Sequence, residues 1–487
     1  MRFLLRLLRK TVILLLAVTA TIILVRGLDS RRKPDLKPWH TVHLESEFTA
    51  EGFRGETFAD YLEIEDQVFR ELDSRVYSVL SPEDKTAFNR FHRGSETDPA
   101  ALPTNWNRTF EMAPERPGKP AGGILLVHGL TDSPYSVRRA AEIFRDRGFY
   151  VLGARMPGHG TAPSGLEHAV WQDWLEVVRL GVTHVREVIG ADGALYLGGY
   201  SNGGALAVKY TLDSLEDESL ETPERLFLFS PAIGITSFAA FATWHKVLSF
   251  IPYFVKFRWE SIHQEYDPFK FNSFPKNAGH QSYALAGVVQ DQVQDLAARG
   301  VLKESPPIIA FQSAVDATVL TPSLIRGLFD KLQAEGSELV LFDINRQNDL
   351  RSFLRHNVDG MLEELEGRES LPYRLTLVTN RDEGSREMAA KHRVPEKPGW
   401  GGTEPLEFSW PRGVYSLSHV AIPFPPDDPL YGIPAVAGGP GMGLGTIQPR
   451  GERRMLTVPV DTLMRLRYNP FFGYEEERIL EFCLACE

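Results

Sequence analysis

The chain has 487 residues, about three times a typical domain length, so one simple core is not expected to use it all. It is 43% hydrophobic and 24% charged, which excludes a mostly disordered protein. Two cysteines exclude a disulfide-dense scaffold, an iron–sulfur centre with its own four ligands and a four-cysteine zinc site; a net charge of −11 is the wrong sign for a general nucleic-acid binder.

That total hides an asymmetry. Through Lys33 there are eight Lys/Arg against one acid, Asp29, so this segment carries +7 and leaves −18 for the remainder. Between the charges, Thr11 to Val25 is an uncharged, largely apolar run, shorter than a bilayer core of roughly 30 Å unless Leu7 and Leu8 extend it. Arg9 and Lys10 can snorkel and so permit that extension. Residues 1–27 are expected to be a signal anchor, with the basic flank kept on the cytoplasmic side and the acidic body on the periplasmic or extracytoplasmic side. A cleaved signal peptide, and hence a secreted form, is the competing reading. Val18-Thr-Ala20 would serve as a cleavage triplet, but Ile22 to Val25 stay apolar beyond it. With only this one long apolar run and a mean hydropathy of −0.20, a multi-pass membrane protein is excluded.

Residues 28–50 are polar with early prolines and read as a linker. From Glu56 to Leu80, Phe58, Tyr61, Leu62, Val68, Phe69, Leu72 and Val76 recur at helical spacing, so an amphipathic helix is expected there. After a Pro/Gly-rich boundary between Pro99 and Gly123, short apolar runs alternate with helical segments. Strands are expected at 123–127, 150–153, 194–197, 226–229, 307–311, 338–342 and 374–378. Helices are expected at 136–147, 168–188, 203–215, 322–335 and 350–365. Most strands lack polar/apolar alternation, as strands buried on both faces should, so the pattern implies a mostly parallel sheet with helices on both faces. An aromatic-rich interval from Ile235 to Lys303, ending in an amphipathic stretch at 281–299, breaks the rhythm and reads as a cap insertion with its own small core. Cys483 and Cys486 form Cys-Leu-Ala-Cys beside the end of the chain, a local disulfide or two idle thiols rather than a redox motif.

The strand at 194–197 runs into Gly198-Gly-Tyr-Ser-Asn-Gly-Gly-Ala205 with a helical segment after it. Gly199-x-Ser201-x-Gly203 in that setting is a nucleophile turn. The backbone bends so tightly that residues two before and two after the serine must be nearly free of side chain, and the hydroxyl stands out at the C-terminal edge of the sheet. A serine nucleophile needs a base, and its oxyanion needs donors.

The strand at 123–127 ends in His128-Gly-Leu-Thr-Asp-Ser-Pro134, and at this point the sequence resembles the α/β-hydrolase fold family. It is most similar to the serine carboxylesterase and monoacylglycerol-lipase-like branch. By that resemblance the backbone N–H groups of Leu130 and Asn202 would form the oxyanion hole, and His128 would orient its loop. Arg155-Met-Pro-Gly-His-Gly160 resembles a second turn of the branch, with His159 structural. Trp171 and Trp174 also fit the branch and are read as core. Phe311-Gln-Ser-Ala-Val-Asp-Ala-Thr-Val319 is similar to the family's acid turn and makes Asp316 the acid, with Asp343 as the fallback. Tyr415-Ser-Leu-Ser-His419 resembles its histidine loop and makes His419 the base, although 103 residues separate it from Asp316, an unusually long interval. His356 lies in an expected helix and His392 in a charged, irregular segment. The chain order Ser201, Asp316, His419 is the one this fold uses.

The resemblance implies an α/β-hydrolase core at 111–235 and 304–425, a cap at 236–303, an N-terminal extension at 28–110 and a C-terminal extension at 426–487. No cofactor is expected: no metal-spaced cluster, dinucleotide fingerprint or P-loop occurs, and Gly438 to Gly445 reads as loop. The expected activity is ester hydrolysis through an acyl-enzyme on a small-molecule substrate with an apolar acyl group. The expected partners are that substrate and a membrane, with no nucleic acid. Amide or thioester cleavage on the same three residues, and a non-catalytic tethered scaffold with a hydrolase core, are the alternatives. A halide-displacing enzyme would need a carboxylate in place of Ser201.

Overall fold

The computed structural model describes residues 33–115, 118–234, 252–333, 335–347, 357–433 and 464–484, together with scattered helical positions between 3 and 21. A ten-stranded sheet organises them, in the order β1-β3-β2-β4-β5-β8-β9-β10-β11-β12. Its strands are β1 (Phe110–Met112), β2 (Gly122–Val127), β3 (Phe149–Ala154), β4 (Ala194–Tyr200), β5 (Arg225–Phe229), β8 (Ile308–Ser313), β9 (Glu338–Phe342), β10 (Arg374–Asn380), β11 (Glu387–Arg393) and β12 (Thr403–Ser409). A separate two-stranded pair, β6 (Trp259–Ser261) and β7 (Phe274–Pro275), lies in the insertion. From β3 through β10 every pairing is parallel, whereas β1, β11 and β12 pair antiparallel at the edges.

The central strands are apolar throughout because both faces are covered. Along β2, Leu125 and Val127 enter one core while Ile124 and Leu126 enter the other. The first core is closed by α3 (Trp171–Ile189), α4 (Asn202–Ser214) and α5 (Lys276–Arg299). The second is closed by α2 (Arg138–Asp146) and the C-terminal α8 (Phe472–Leu484), whose Phe472, Ile479 and Phe482 are buried. Shorter helices, α6 (Thr321–Gly327) and α7 (Val358–Gly367), complete the crossovers.

Several expectations need revision. The described part of the 28–50 stretch is not a linker. Trp39 stacks on Phe91 at 5.2 Å, and Trp39, Leu44 and Phe48 are buried. The helix expected near 56–80 is α1 (Phe58–Arg75), started by a reciprocal Thr57–Asp60 cap. Its Tyr61 hydroxyl donates to the Arg155 carbonyl at 2.5 Å. The amphipathic stretch assigned to the cap is α5, and its Leu285, Val289, Val293 and Leu296 belong to the main core. A 24-residue helix with one apolar face buries that face wherever a layer is open, here beside α4. The segment after β10 is a hairpin, β11 and β12, rather than irregular chain, and Lys391, His392, Glu404 and Glu407 hide it from an apolar-run criterion.

Among the described residues no helix is long and apolar enough to cross a membrane. Most of the expected anchor, together with His356, Gly438 to Gly445 and Cys486, lies outside the described residues. Cys483 sits half-buried on α8, where burial pushes its thiol up to about 12.

Candidate active site

Ser201 is placed by the turn between β4 and α4, with φ 53° and ψ −114°. A non-glycine residue there costs on the order of 1–3 kcal/mol and must be held by its surroundings. The holding bonds are visible: Ser201 N–H donates to the Phe229 carbonyl at 2.8 Å, and its carbonyl accepts from Ala232 at 2.9 Å. Side chains flanking the turn would not fit. A Cβ on Gly203 would lie 2.1 Å from the Val127 carbonyl oxygen, and one on Gly199 would lie 2.3 Å from the Gly203 backbone.

His419 lies in the loop beyond the β11–β12 hairpin, which accounts for the long interval after Asp316. Its Nε2 is 3.0 Å from Ser201 Oγ, and its Nδ1 is 2.7 Å from Asp316 Oδ2. Asp316 follows β8. Its Oδ1 accepts the N–H groups of Thr318 and Val319 at 2.8 and 2.9 Å, and its Oδ2 also accepts from Gln312 Nε2 at 3.0 Å. Full burial opposes its ionisation, but the adjacent imidazole, its hydrogen bond and the two backbone donors outweigh burial and hold the carboxyl below its ordinary value. Gln312 and Ser313, on the strand leading to Asp316, were not singled out from sequence. Ser313 Oγ donates to the Leu417 carbonyl at 3.0 Å and so pins the histidine loop to β8.

Leu130 lies in the loop after β2 and Asn202, next to Ser201, in the first turn of α4. Neither backbone N–H has an acceptor among the described residues, and the α4 dipole favours negative charge at Asn202. Thr131, next to Leu130, has φ 63°, and its carbonyl accepts the Phe271 N–H at 2.8 Å, which fixes the loop to the insertion.

His128 is not at the serine. Its Nδ1 bonds the Gly129 carbonyl at 2.9 Å and its Nε2 accepts the Met156 N–H at 3.0 Å. Burial, then the neighbouring His159, push its pKa well below the usual value, so it stays neutral and orients the loop. Burial takes His159 down to about 3, with its Nδ1 3.1 Å from the Pro157 carbonyl. Trp174 is fully buried and donates to that carbonyl at 3.0 Å. Asp343 is engaged elsewhere, by Arg346 at 2.7 and 2.8 Å and by Thr379. His392 sits on β11 against Thr376 and Glu404.

The N-terminal extension braces this region. Arg155, fully buried, pairs with Glu47 at 2.8 Å and Glu65 at 3.3 Å, and donates to the His159 carbonyl at 3.0 Å. A cavity of about 300 Å³ adjoins the site, walled in part by Thr131, Tyr200 and Val420, each next in sequence to Leu130, Ser201 or His419.

A mostly parallel sheet covered on both faces, a strained serine at the β4–α4 turn, and an acid and a histidine on later loops define an α/β-hydrolase core. Partial sequence matches to known proteins point the same way. Residues 118–273 match the family model described as serine aminopeptidase, S33. Over 86 residues the chain is 34% identical to a thermostable monoacylglycerol lipase of Bacillus sp. (strain H-257), a match spanning 18% of this chain and 33% of that enzyme. Thus only about a third of that relative's length is matched. Among solved structures, one reported for the metagenome-derived lipolytic enzymes LipS and LipT is 18% identical, covers 54% of this chain and 98% of its own, and has a TM-score of 0.38. The monoacylglycerol lipase of Paleococcus ferrophilus is 17% identical, covers 48% and 88%, and scores 0.36.

Proposed function

We propose that this chain is a serine hydrolase that cleaves carboxylic esters through an acyl-enzyme. The observation that carries the reading is the unbroken chain of hydrogen bonds Ser201–His419–Asp316 on a strained strand-to-helix turn, 3.0 and 2.7 Å long. Ser201 Oγ attacks the ester carbonyl while His419 Nε2 takes its proton. Asp316 holds the Nδ1–H and stabilises the imidazolium, and the N–H groups of Leu130 and Asn202 hold the oxyanion. The tetrahedral intermediate collapses, His419 protonates the departing alcohol, and water repeats the sequence to release the acid. An apolar acyl group fits the aromatic wall of the adjoining cavity (Phe271, Phe274, Phe424), and the similarity to the monoacylglycerol lipase of Bacillus favours acylglycerol-like esters.

A fluorophosphonate probe should label the protein at Ser201, and Ser201→Ala should abolish both labelling and hydrolysis of 4-nitrophenyl butyrate. Hydrolysis persisting in that variant overturns the proposal.

The basic and apolar residues 1–27 would tether the body to a membrane on its extracytoplasmic side, a reading supported by the +7 carried by residues 1–33 around an uncharged run. The full chain should then stay with membranes through an alkaline carbonate wash; release into the supernatant refutes the tether.

A further inference from the structure

The cavity beside the serine is built by parts of the chain that have no role in the proposed triad. The 262–274 segment supplies Lys270 and Phe271, the segment after the histidine supplies Phe424 and Tyr431, and the C-terminal extension supplies Arg465 and Arg467. Its charges do not cancel. Lys270 pairs with Asp132 at 2.9 Å. Arg467 pairs at 3.4 Å with the buried Asp267, which also accepts the Tyr431 hydroxyl at 2.8 Å. His263, on the same wall, is kept toward its neutral form by burial. Arg465 is half-buried and makes no ion pair with a carboxylate among the described residues, although its charge acts on the Tyr200 hydroxyl. The wall therefore presents three full cations against one carboxylate, Asp132, and the buried Asp267 behind it offsets Arg467, which leaves one guanidinium in excess.

This excess stands on a body whose net charge, beyond Lys33, is −18 and would repel anions generally. Beside it are the apolar rings of Phe271, Phe274 and Phe424. Tyr200 immediately precedes Ser201 and Val420 immediately follows His419, so the cavity wall is continuous in sequence with the residues that carry the serine and the histidine. At about 300 Å³ the space suits a small ester with one apolar arm. One uncompensated guanidinium matches one negative charge, and a carboxylate fits its planar fork.

We propose that the substrate is an ester bearing a single carboxylate, and that Arg465 binds this carboxylate in the cavity beside Ser201 and so sets specificity. This rests on the ester-hydrolase reading above.

The test compares three esters on the full chain in detergent. 4-Nitrophenyl butyrate is the neutral reference, mono(4-nitrophenyl) glutarate carries its carboxylate on the acyl side, and 4-(butyryloxy)benzoate carries it on the alcohol side. For Arg465→Gln, the kcat/KM of one anionic ester relative to the neutral one should fall about tenfold, through KM. That is the factor 1.4 kcal/mol represents. The ester affected identifies the side on which the carboxylate sits, and Arg465→Lys should recover part of the ratio because it keeps the charge and loses the fork. If Arg465→Gln leaves both ratios unchanged while Ser201 remains essential for all three esters, the carboxylate site is overturned and ester hydrolysis stands. If Ser201→Ala still hydrolyses them, the catalytic reading itself fails and takes this proposal with it.

Discussion

Replacing Asp316 by Asn keeps the shape of the side chain and changes only which of its atoms donate. Oδ1 accepts two backbone N–H groups, from Thr318 and Val319, while Oδ2 faces His419 Nδ1 and Gln312 Nε2. The new amide must keep its oxygen at the first position, because the reverse orientation would set an NH2 against two fixed backbone donors. Its NH2 therefore points at His419 Nδ1, which must give up its proton and accept. The imidazole then carries its proton on Nε2, directed at Ser201 Oγ 3.0 Å away, and no longer acts as a base. Loss of the correct tautomer is expected to lower kcat about 10³–10⁴-fold, which is about 4–5 kcal/mol of barrier, with little change in KM because Asp316 does not touch substrate. Stability should suffer far less. Gln312 can relieve the remaining donor–donor clash by turning its amide, since its Oε1 has no partner among the described residues, at the cost of its bond to the Val319 carbonyl. That is on the order of 1 kcal/mol. Steady-state hydrolysis of 4-nitrophenyl butyrate, with thermal melts on the same samples, separates the two effects. A fall in kcat of less than about tenfold in a folded Asp316→Asn variant would refute the assignment.

Two further outcomes follow from buried charges. Arg155→Met removes the only cation within ion-pair distance of Glu47 and Glu65 among the described residues and leaves both carboxylates unpaired beneath the 155–160 turn. Urea denaturation should show a loss of about 3–5 kcal/mol, and a loss below about 1 kcal/mol would show that the clamp is not structural. Glu167 is pushed up to about 7 by burial, against the opposing pull of Arg258 at 3.3 Å. Its ordinary value is 4.5, so the folded state binds the proton more tightly than the unfolded one. Stability from this group is full below about pH 4.5 and declines as pH rises through 7, by up to about 3 kcal/mol at 1.36 kcal/mol per unit. Glu167→Gln should flatten that decline when denaturation is compared at pH 5 and pH 8; an unchanged slope would assign the pH dependence to other groups.

The elements that could be read from the chain are those whose physics is local. Strands β2, β3, β4, β5, β8, β9 and β10 show as mostly apolar runs because both faces are covered, and their expected positions agree with the observed ones to within a few residues. The turn at Ser201 shows because its steric demand falls on Gly199 and Gly203, two residues away on either side. The β11–β12 hairpin did not show. β12 is the edge strand and is exposed along most of its length, and β11 beside it is only partly covered, so Lys391, Glu404 and Glu407 occupy positions that an apolar-run criterion rejects. Helix α5 was legible as amphipathic, but its place beside α4 was not, since periodicity gives a face and not the layer that covers it. Asp316 and Asp343 both end strands of the sheet. Only the fold separates them, turning one to His419 and the other to Arg346.

By itself, then, the sequence determined a covered parallel sheet, the serine turn and an order of residues compatible with one site, because backbone sterics and the periodicity of burial are written within a few residues of each position. What surrounds that site was decided by tertiary structure alone. Glu47 meets Arg155 across more than a hundred residues, and Arg465 reaches a cavity wall beside Tyr200 from the far end of the chain. Such charges are paired or left unpaired according to which surfaces the fold brings together, and sequence spacing carries no record of that.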